Sequence, residues 1–334
     1  MNTLFSGCHF TSENDVAKIR QVLGTGVQKI CTEEYTLIMP LSSKTLFHNI
    51  FVDSINIYTT FAITMGKDNK KSLRIQYVSD LHLEFPQNRQ WLAEHPLEVT
   101  GDILLVAGDT AYLDLPDSEH NTYGQYEWWD WASEHYKQVI VCLGNHEFYG
   151  YYDLSSMPDG YKKQIRHNVH AYYNNVVHFD QTDIIVSTLW SKIEPYNAFI
   201  TERSVSDFYR IMYGKHRLTA DDFNREHERC LAFIKQAVAG SKAKTKIVLT
   251  HHVPTQLCTA DEFCDSDING AFTVELGNYI ADSGIDYWIY GHSHCNINEQ
   301  IGDTRILCNQ LGYTSHKEYL INGYSHSAMI EVEC

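Results

Sequence analysis

Eight residues of types that bind metal ions or transfer protons occur in five short blocks that are far apart in the chain. They are Asp80, His82, Asp109, Asn145, His146, His251, His292 and His294. Each block directly follows a short apolar run that predicts a β-strand. Ligands of open α/β folds collect beyond the carboxyl ends of the strands. We therefore expect these side chains to meet at one site, whereas the alternative is that they are strand-end polar residues bonded to nearby loops.

The residue types favour a site for transition-metal ions. Imidazole, carboxylate and amide oxygen occur without a thiolate, a combination that suits Mn, Fe or Zn rather than Ca or a structural zinc. A carboxylate has two oxygens, so Asp109 is able to bridge two cations. Because alternate residues of an extended strand point the same way, Asp80 and His82 are expected to bind one ion together, and His292 and His294 likewise.

Composition and charge restrict the class of protein. The chain has 334 residues, of which 43% are apolar and 20% charged, as in globular proteins. With 42 acidic and 26 basic residues its formal charge is −16, and no basic run predicts nucleic-acid binding. An acidic protein that acts on a phosphate ester needs cations at its site, and bound metal ions supply them.

The cysteines and the apolar segments indicate in which cellular compartment the protein is expected. Nine scattered cysteines without a C-x-x-C pair favour reduced thiols over disulfides. The first residues do not resemble a secretory leader, and the most apolar stretch, residues 46–65, contains four polar interruptions. We therefore expect a cytoplasmic protein without a membrane span, and no motif specifies its oligomeric state.

The chain divides near the polar, turn-rich segment 66–71. Residues 1–72 are interpreted as an N-terminal extension of uncertain structure and residues 73–334 as the domain that carries the five blocks. A dinucleotide-binding interpretation of Gly24-Thr25-Gly26 fails, because position 29 is Lys rather than Gly. Apolar runs predict strands at 73–79, 103–107, 138–143, 183–189, 246–250, 287–290, 304–307 and 328–332.

Two helices are predicted between these strands. A capping box at Thr219 and Asp222 precedes residues with helical spacing (Phe223, His227, Cys230, Ile234 and Val238). The aromatic-rich segment 123–136 predicts a second packed helix. Together with the strands, this pattern indicates the α/β fold class.

The five blocks together resemble the signature of the calcineurin-like metallophosphoesterase family. In order they read Asp80-Leu81-His82, Gly108-Asp109, Gly144-Asn145-His146-Glu147, Thr250-His251-His252 and Gly291-His292-Ser293-His294. The resemblance extends over residues 73–334, and segment 249–313 is similar to an uncharacterised bacterial-type branch. It implies a four-layer α/β/β/α sandwich. A metallo-β-lactamase-type hydrolase is excluded, because its H-x-H-x-D-H motif is absent.

The resemblance implies a role for each residue of the blocks. Asp80, His82, Asp109 and His294 would bind one metal, and Asp109, Asn145, His251 and His292 the other. His146 would face the substrate, either stabilising the transferring phosphoryl group or protonating the leaving oxygen. Asn145 and His252 are further candidates for substrate contact.

The implied reaction is direct hydrolysis of a phosphate monoester or diester by a hydroxide shared between two cations, which also hold the phosphate oxygens. No motif distinguishes the two ester classes. The alternative is a non-catalytic metal-binding interaction protein on the same fold, although none of the expected ligands is missing.

Several neighbouring residues are open to more than one interpretation. The family commonly has an Asp three residues after the bridging one, which orients the histidine. Here position 112 is Tyr, and Asp114 is the nearest substitute. Glu147 is interpreted as a structural hydrogen-bond acceptor. Tyr149, Tyr151 and Tyr152 either line the pocket or serve in packing, and the insertion at 193–217 either caps the site or faces solvent.

Overall fold

The computed structural model describes residues 27–31, 36–40, 72–116, 118–119 and 121–333. The chain forms two units, Met1–Lys70 and Lys71–Cys334. In the first unit, β1 (Val27–Cys31) pairs antiparallel with β2 (Thr36–Pro40). The predictions made for residues 1–26 and 41–71 lie outside the described residues.

The second unit contains two six-stranded sheets, each built around four parallel strands, and a short antiparallel pair of β10 (Met212–Tyr213) and β11 (His216–Arg217). The first comprises β3 (Ser72–Val78), β4 (Ile103–Ala107), β5 (Gln138–Cys142), β6 (Tyr161–Arg166), β7 (Val169–Tyr173) and β16 (Met329–Glu333). Its order is β16-β3-β4-β5-β7-β6. The edge strands β16 and β6 are antiparallel to their neighbours.

The second sheet repeats this plan. It comprises β8 (Asn175–Phe179), β9 (Thr182–Val186), β12 (Thr245–Leu249), β13 (Tyr287–Tyr290), β14 (Glu299–Ile301) and β15 (Thr304–Cys308). Its order is β14-β15-β13-β12-β9-β8, with antiparallel edges at β14 and β8. The eight strands predicted from the sequence are all present, two of them with the predicted bounds and the others with ends that differ by at most three residues.

The faces of the two sheets pack against each other and form the middle of the protein. Alternate residues of β4 show the arrangement, because Ile103 and Leu105 lie between the sheets with Ile247 and Ile289 of the second sheet. Leu104 lies in the cluster on the opposite face. Both faces of the central strands are thus buried, which explains their continuous apolar sequences.

Helices cover the outer faces of both sheets and complete the four-layer α/β/β/α sandwich. They are α1 (Pro86–Glu94), α2 (Trp128–His135), α3 (Ala198–Ser204), α4 (Asp207–Arg210), α5 (Ala220–Gly240) and α6 (Gly277–Asp282). Leu92 and Trp129 pack on the first sheet, whereas Ile234 and Ile280 pack on the second. Within the described ranges, every helix is too short or too polar to cross a bilayer.

The two helix predictions have different outcomes. The capping box at the start of α5 is confirmed, since Thr219 and Asp222 exchange side-chain and backbone hydrogen bonds and all five predicted face residues are buried. In the aromatic segment, a 3₁₀ turn at Tyr123–Gln125 precedes α2, so the predicted helix begins later than expected.

Candidate metal centre

The loops that follow five parallel strands converge at one end of the sandwich. Strands β3, β4 and β5 of the first sheet precede the blocks that begin at Asp80, Asp109 and Asn145. Strands β12 and β13 of the second sheet precede His251 and His292. The site therefore lies where the carboxyl ends of both sheets meet, as expected for ligands of α/β folds.

The backbone at this site has an uncommon conformation. Five of the predicted ligands have left-handed φ angles: Asp80 (56°), His82 (47°), Asp109 (53°), His292 (77°) and His294 (52°). Such angles are uncommon for residues other than glycine and concentrate at functional sites. Asp80 and His82 lie in one donor group, as expected, but strand alternation is not the reason, because β3 ends at Val78 and both residues have left-handed φ angles.

Two glycines of the blocks allow the loops to approach closely. A Cβ atom added at Gly108 would collide with the ring of His251, and one added at Gly144 would collide with the carboxylate of Asp109. Gly108 also has a φ of +87°. Both positions therefore require glycine for the loops to adopt this arrangement.

The first group of donor atoms consists of Asp80, His82 and His294. Nε2 of His82 lies 3.1 Å from Nε2 of His294, which in turn lies 3.4 Å from Oδ1 of Asp80. Asp80 and His82 are fully buried. Nδ1 of His294 is hydrogen-bonded to Glu318, so its Nε2 points toward the other donors.

The second group consists of Asp109, His251 and His292. Nε2 of His251 lies 3.2 Å from Oδ1 of Asp109 and 3.1 Å from Nδ1 of His292. The amide oxygen of Asn145 lies 2.9 Å from the same Nε2 atom. Nδ1 of His251 is bonded to the carbonyl of Ala107, which fixes the ring.

These separations fit metal coordination. Nitrogen and oxygen ligands bind first-row ions at about 2.0–2.2 Å, so adjacent ligand atoms lie about 2.9–3.4 Å apart. The closest donor pairs of both groups fall in this range. The seven residues predicted as ligands are thus brought together, and their donor set suits Mn, Fe or Zn.

His292 and His294 belong to different groups. This differs from the expectation, drawn from their spacing, that they bind one ion together. The left-handed turn at both residues sends their rings apart, toward His251 and Asp80 respectively. The arrangement agrees instead with the division implied by the family resemblance.

Neighbouring carboxylates control the protonation of the site. Burial lowers the pKa of His294, but hydrogen bonds from its ring to the carboxylates of Asp80 and Glu318 outweigh burial and raise the pKa to about 10. Burial also lowers the pKa of His251, but the charge of Asp109 outweighs burial and raises the pKa to about 9. Burial and the charge of His251 lower the pKa of His292 to about 3. The carboxylates thus favour positive charge here, which metal ions also supply.

His146 lies beside both groups. Its backbone N–H donates to Oδ1 of Asp109 at 2.9 Å, and its Nε2 lies 3.8 Å from Oδ2 of the same carboxylate. A third convergent group of donors contains His146 with His82 and Asp109. Burial lowers the pKa of His146, but the carboxylates of Asp109 and Glu84 outweigh it and raise the pKa above its ordinary value.

Glu84 contacts His146 in the place where Asp114 was expected. Its Oε1 lies 2.8 Å from Nδ1 of His146 and 3.1 Å from Nδ1 of His82. Asp114 instead binds Thr122 and Lys163. Glu84 was not predicted from the sequence as a site residue. The available signal was its position two residues after His82, which itself lies two residues after Asp80.

Glu147 accepts hydrogen bonds and is fully buried. Its carboxylate accepts from the backbone N–H groups of Asp109 (3.1 Å), Thr110 (2.8 Å) and Gly144 (2.7 Å). Burial, with the charge of Asp109, raises its pKa to about 7. These contacts agree with the structural interpretation, since they tie together the two loops that carry Asp109 and Asn145.

The three tyrosines that follow have different environments. Tyr149 is buried and stacks on His146, with the ring centroids 4.2 Å apart. Tyr152 is buried in the core, whereas Tyr151 is 58% exposed. Only Tyr149 of these three therefore contacts the site.

The insertion at 193–217 contacts the site through α4. Asp207 is fully buried, and its Oδ1 accepts from Nδ2 of Asn145 at 2.9 Å and from the hydroxyl of Tyr149 at 2.7 Å. Arg210 lies over the ring of Tyr149, with Cζ 5.2 Å from its centroid, and donates to the hydroxyl of Tyr112. The interpretation as a purely solvent-facing excursion was wrong, because Asp207 anchors the insertion to a predicted ligand.

His252 does not join the donor groups. Its ring is fully buried, 4.2 Å from the ring of His292 and 5.2 Å from that of Trp190. Neither ring nitrogen has a hydrogen-bond partner. Because the ring is packed behind His292, the structure does not support the candidate role of His252 in substrate contact.

Comparisons with known proteins give a family and a fold. Residues 73–296 match the model of the family described as calcineurin-like phosphoesterase. The chain is 28% identical over 271 residues to the uncharacterized protein L509 of Acanthamoeba polyphaga mimivirus, covering 75% of this chain and 95% of that protein. It is similar in structure to the phosphopantetheinyl hydrolase PptH of Mycobacterium tuberculosis, with a TM-score of 0.54 and 16% identity over 77% of this chain and 95% of that one.

Proposed function

The chain belongs to the calcineurin-like phosphoesterase family, and from this premise we propose that it hydrolyses a phosphate monoester or diester with two first-row metal ions bound. Asp80, His82 and His294 would hold one ion, and Asn145, His251 and His292 the other. Asp109 would bridge them. The ions would be Zn in the divalent state, or Mn or Fe in the divalent or trivalent state, which matches the donor set.

One observation carries this proposal. The two oxygens of Asp109 face different imidazoles, since Oδ1 lies 3.2 Å from Nε2 of His251 and Oδ2 lies 3.9 Å from Nε2 of His82. Asp109 belongs to the second donor group, and its carboxylate also converges with His82 of the first. A bridging carboxylate of this kind is a usual way to hold two cations about 3.5–4 Å apart.

The chain's own residues supply the remaining parts of the reaction. When bound, the two ions lower the pKa of water and offset the charge of the transferring phosphoryl group. Asn145 and His146 face the phosphoryl group, and His146 either donates a hydrogen bond to it or gives a proton to the leaving oxygen. The carboxylates of Asp109 and Glu84 raise the pKa of His146 and thereby favour its protonated form.

The test is hydrolysis of p-nitrophenyl phosphate and bis-p-nitrophenyl phosphate by metal-stripped protein reloaded with Mn²⁺. We expect turnover that requires metal and is abolished in Asp109→Asn, and the ratio of the two rates gives the ester class. Asp102→Asn is a matched control, because Asp102 pairs with Arg74 and Lys137 on the surface.

The alternative is a non-catalytic metal-binding interaction protein. Two bound ions without turnover on phosphate esters of either class would favour it over the enzyme. Failure to bind metal at all would exclude both.

A further inference from the structure

Glu84 holds two imidazoles with a single carboxylate oxygen. Its Oε1 lies 2.8 Å from Nδ1 of His146 and 3.1 Å from Nδ1 of His82. The side chain of Glu84 is 7% exposed, and that of His82 is fully buried. Water therefore has little access to these two hydrogen bonds, which makes them stronger than exposed ones.

The chemistry of the carboxylate determines the protonation of both rings. An ionised carboxylate only accepts hydrogen bonds, so Nδ1 of each ring must carry a proton. Nε2 of His82 is then left with its lone pair directed at Asp80 and His294 of the first donor group. In His146, the same contact fixes the ring and stabilises its positive charge.

We propose that Glu84 is the positioning residue that orients His146, taking the place of the aspartate that the family commonly has at the position of Tyr112. The kinetic effects expected of Glu84 rest on the phosphoesterase activity proposed above. Tyr112 cannot replace the carboxylate, since its ring centroid lies 6.2 Å from that of His146 and its hydroxyl accepts from Arg210. Asp114 is held by Thr122 and Lys163.

A mutant cycle tests whether Glu84 acts through His146. At saturating Mn²⁺, Glu84→Gln is expected to lower kcat on p-nitrophenyl phosphate about 10–100-fold, the range for partners that orient ligands. In a His146→Asn background the same change is expected to lower kcat less than about 2-fold. Asp114→Asn is the control and is expected to leave kcat unchanged. If the decrease in kcat of the double variant equalled the product of the two single-variant decreases, the proposal would be overturned.

A spectroscopic measurement tests the same contact without turnover. Long-range ¹H–¹⁵N spectra of metal-free, ¹⁵N-histidine-labelled protein are expected to show protonated Nδ1 for His146, assigned with His146→Asn. Glu84→Gln is expected to shift this signal, whereas Asp114→Asn is not. An unchanged His146 signal in Glu84→Gln would contradict the proposal even if the protein had no phosphoesterase activity.

A separate observation concerns the insertion and Asn145. Asp207 of α4 accepts from Nδ2 of Asn145 at 2.9 Å, while Oδ1 of Asn145 lies 2.9 Å from Nε2 of His251. A carboxylate cannot donate to the amide, so the NH₂ group of Asn145 must face Asp207 and its oxygen must face the second donor group.

We infer that Asp207 is a positioning residue that fixes the amide orientation of Asn145. The inserted segment thereby supports the metal site. The contact is buried, and Tyr149 donates to the same oxygen of Asp207 at 2.7 Å. Rotation of the Asn145 amide would turn its oxygen away from the second donor group and leave Asp207 without this hydrogen-bond donor.

Metal binding measured by calorimetry tests this second proposal. Asp207→Ala, which removes both acceptor oxygens, is expected to weaken one of two Mn²⁺ binding steps about 10–100-fold and to leave the other unchanged. Asp221→Ala, at an exposed position in the first turn of α5, is the matched control. Two wild-type affinities in folded Asp207→Ala protein would overturn the proposal, and so would equal weakening of both steps.

Discussion

Oδ1 of Asp109 lies 3.2 Å from Nε2 of His251. The same carboxylate directs Oδ2 toward His82, at 3.9 Å. Asp109 is buried, and nearby imidazoles, despite the opposing effect of burial, hold its pKa well below its ordinary range. It is therefore ionised at neutral pH and available to two cations.

Replacement of this bridge is expected to reduce metal content. Asp109→Asn keeps the shape of the side chain but offers one neutral oxygen in place of two charged ones. We expect fewer than two Mn²⁺ ions per chain after gel filtration, measured by mass spectrometry of the metal. Two tightly bound ions in this variant would contradict the bridging role.

Loss of the Glu147 carboxylate is expected to destabilise the two loops that it joins. In Glu147→Gln, the side-chain NH₂ group must face one of three backbone N–H donors. We expect the free energy of unfolding to fall by about 1–3 kcal/mol, the cost of an unpaired buried donor. Urea denaturation of metal-free protein at pH 8.5, where Glu147 is ionised, measures this change. An unchanged midpoint would contradict the structural role.

The start of α5 offers a test of stability that does not involve the site. Thr219 accepts from the backbone N–H of Asp222 and closes a capping box. Thr219→Ala is expected to lower the free energy of unfolding by about 0.5–2 kcal/mol, whereas Thr219→Ser retains most of it. Activity per metal-loaded molecule is expected to remain at the wild-type level, and equal stability of the Ala and Ser variants would contradict the cap.

The sequence was sufficient to predict the strands whose two faces are both buried. The run at 103–107 is entirely apolar, and the run predicted at 246–250 contains Ile247, Val248 and Leu249, because both strands lie in the centre of a sheet. Strands β6, β8 and β14 were missed because edge strands carry polar residues, such as Lys162 and Lys163 in β6. Strand β7 was missed although it is central, and His170 interrupts its apolar pattern.

The order of the five blocks along the chain was sufficient to predict which strand ends meet at the site. The left-handed turns at Asp80 and His292 were not predictable, because tertiary packing rather than local preference stabilises them. The contacts of Glu84 and Asp207 were also missed. Asp207 is 62 residues from Asn145 in the chain, and no spacing rule connects the two.

Buried His227 predicts a pH dependence of stability. Burial lowers its pKa, and Nδ1 is bonded to the carbonyl of Trp190 at 2.9 Å. In the unfolded chain, His227 binds a proton near pH 6.5, whereas in the folded protein it binds one only at lower pH. The contribution of His227 to the free energy of unfolding is therefore complete above pH 6.5 and is lost as the pH falls.

Comparison with a variant isolates this contribution. The difference in unfolding free energy between wild type and His227→Gln is expected to shrink between pH 7.5 and pH 5.5, measured by urea denaturation at constant metal content. A constant or growing difference would contradict a neutral, buried His227.

The dependence of turnover on bound Mn²⁺ tests the proposed two-ion site most directly. Metal-free protein at a concentration well above its dissociation constants is titrated with Mn²⁺, and hydrolysis of the preferred nitrophenyl ester is followed. Because Asp109 joins two donor groups, we expect the rate to rise until two ions are bound per chain and then to remain constant. Full activity with one ion per chain, or activity without metal, would contradict the account.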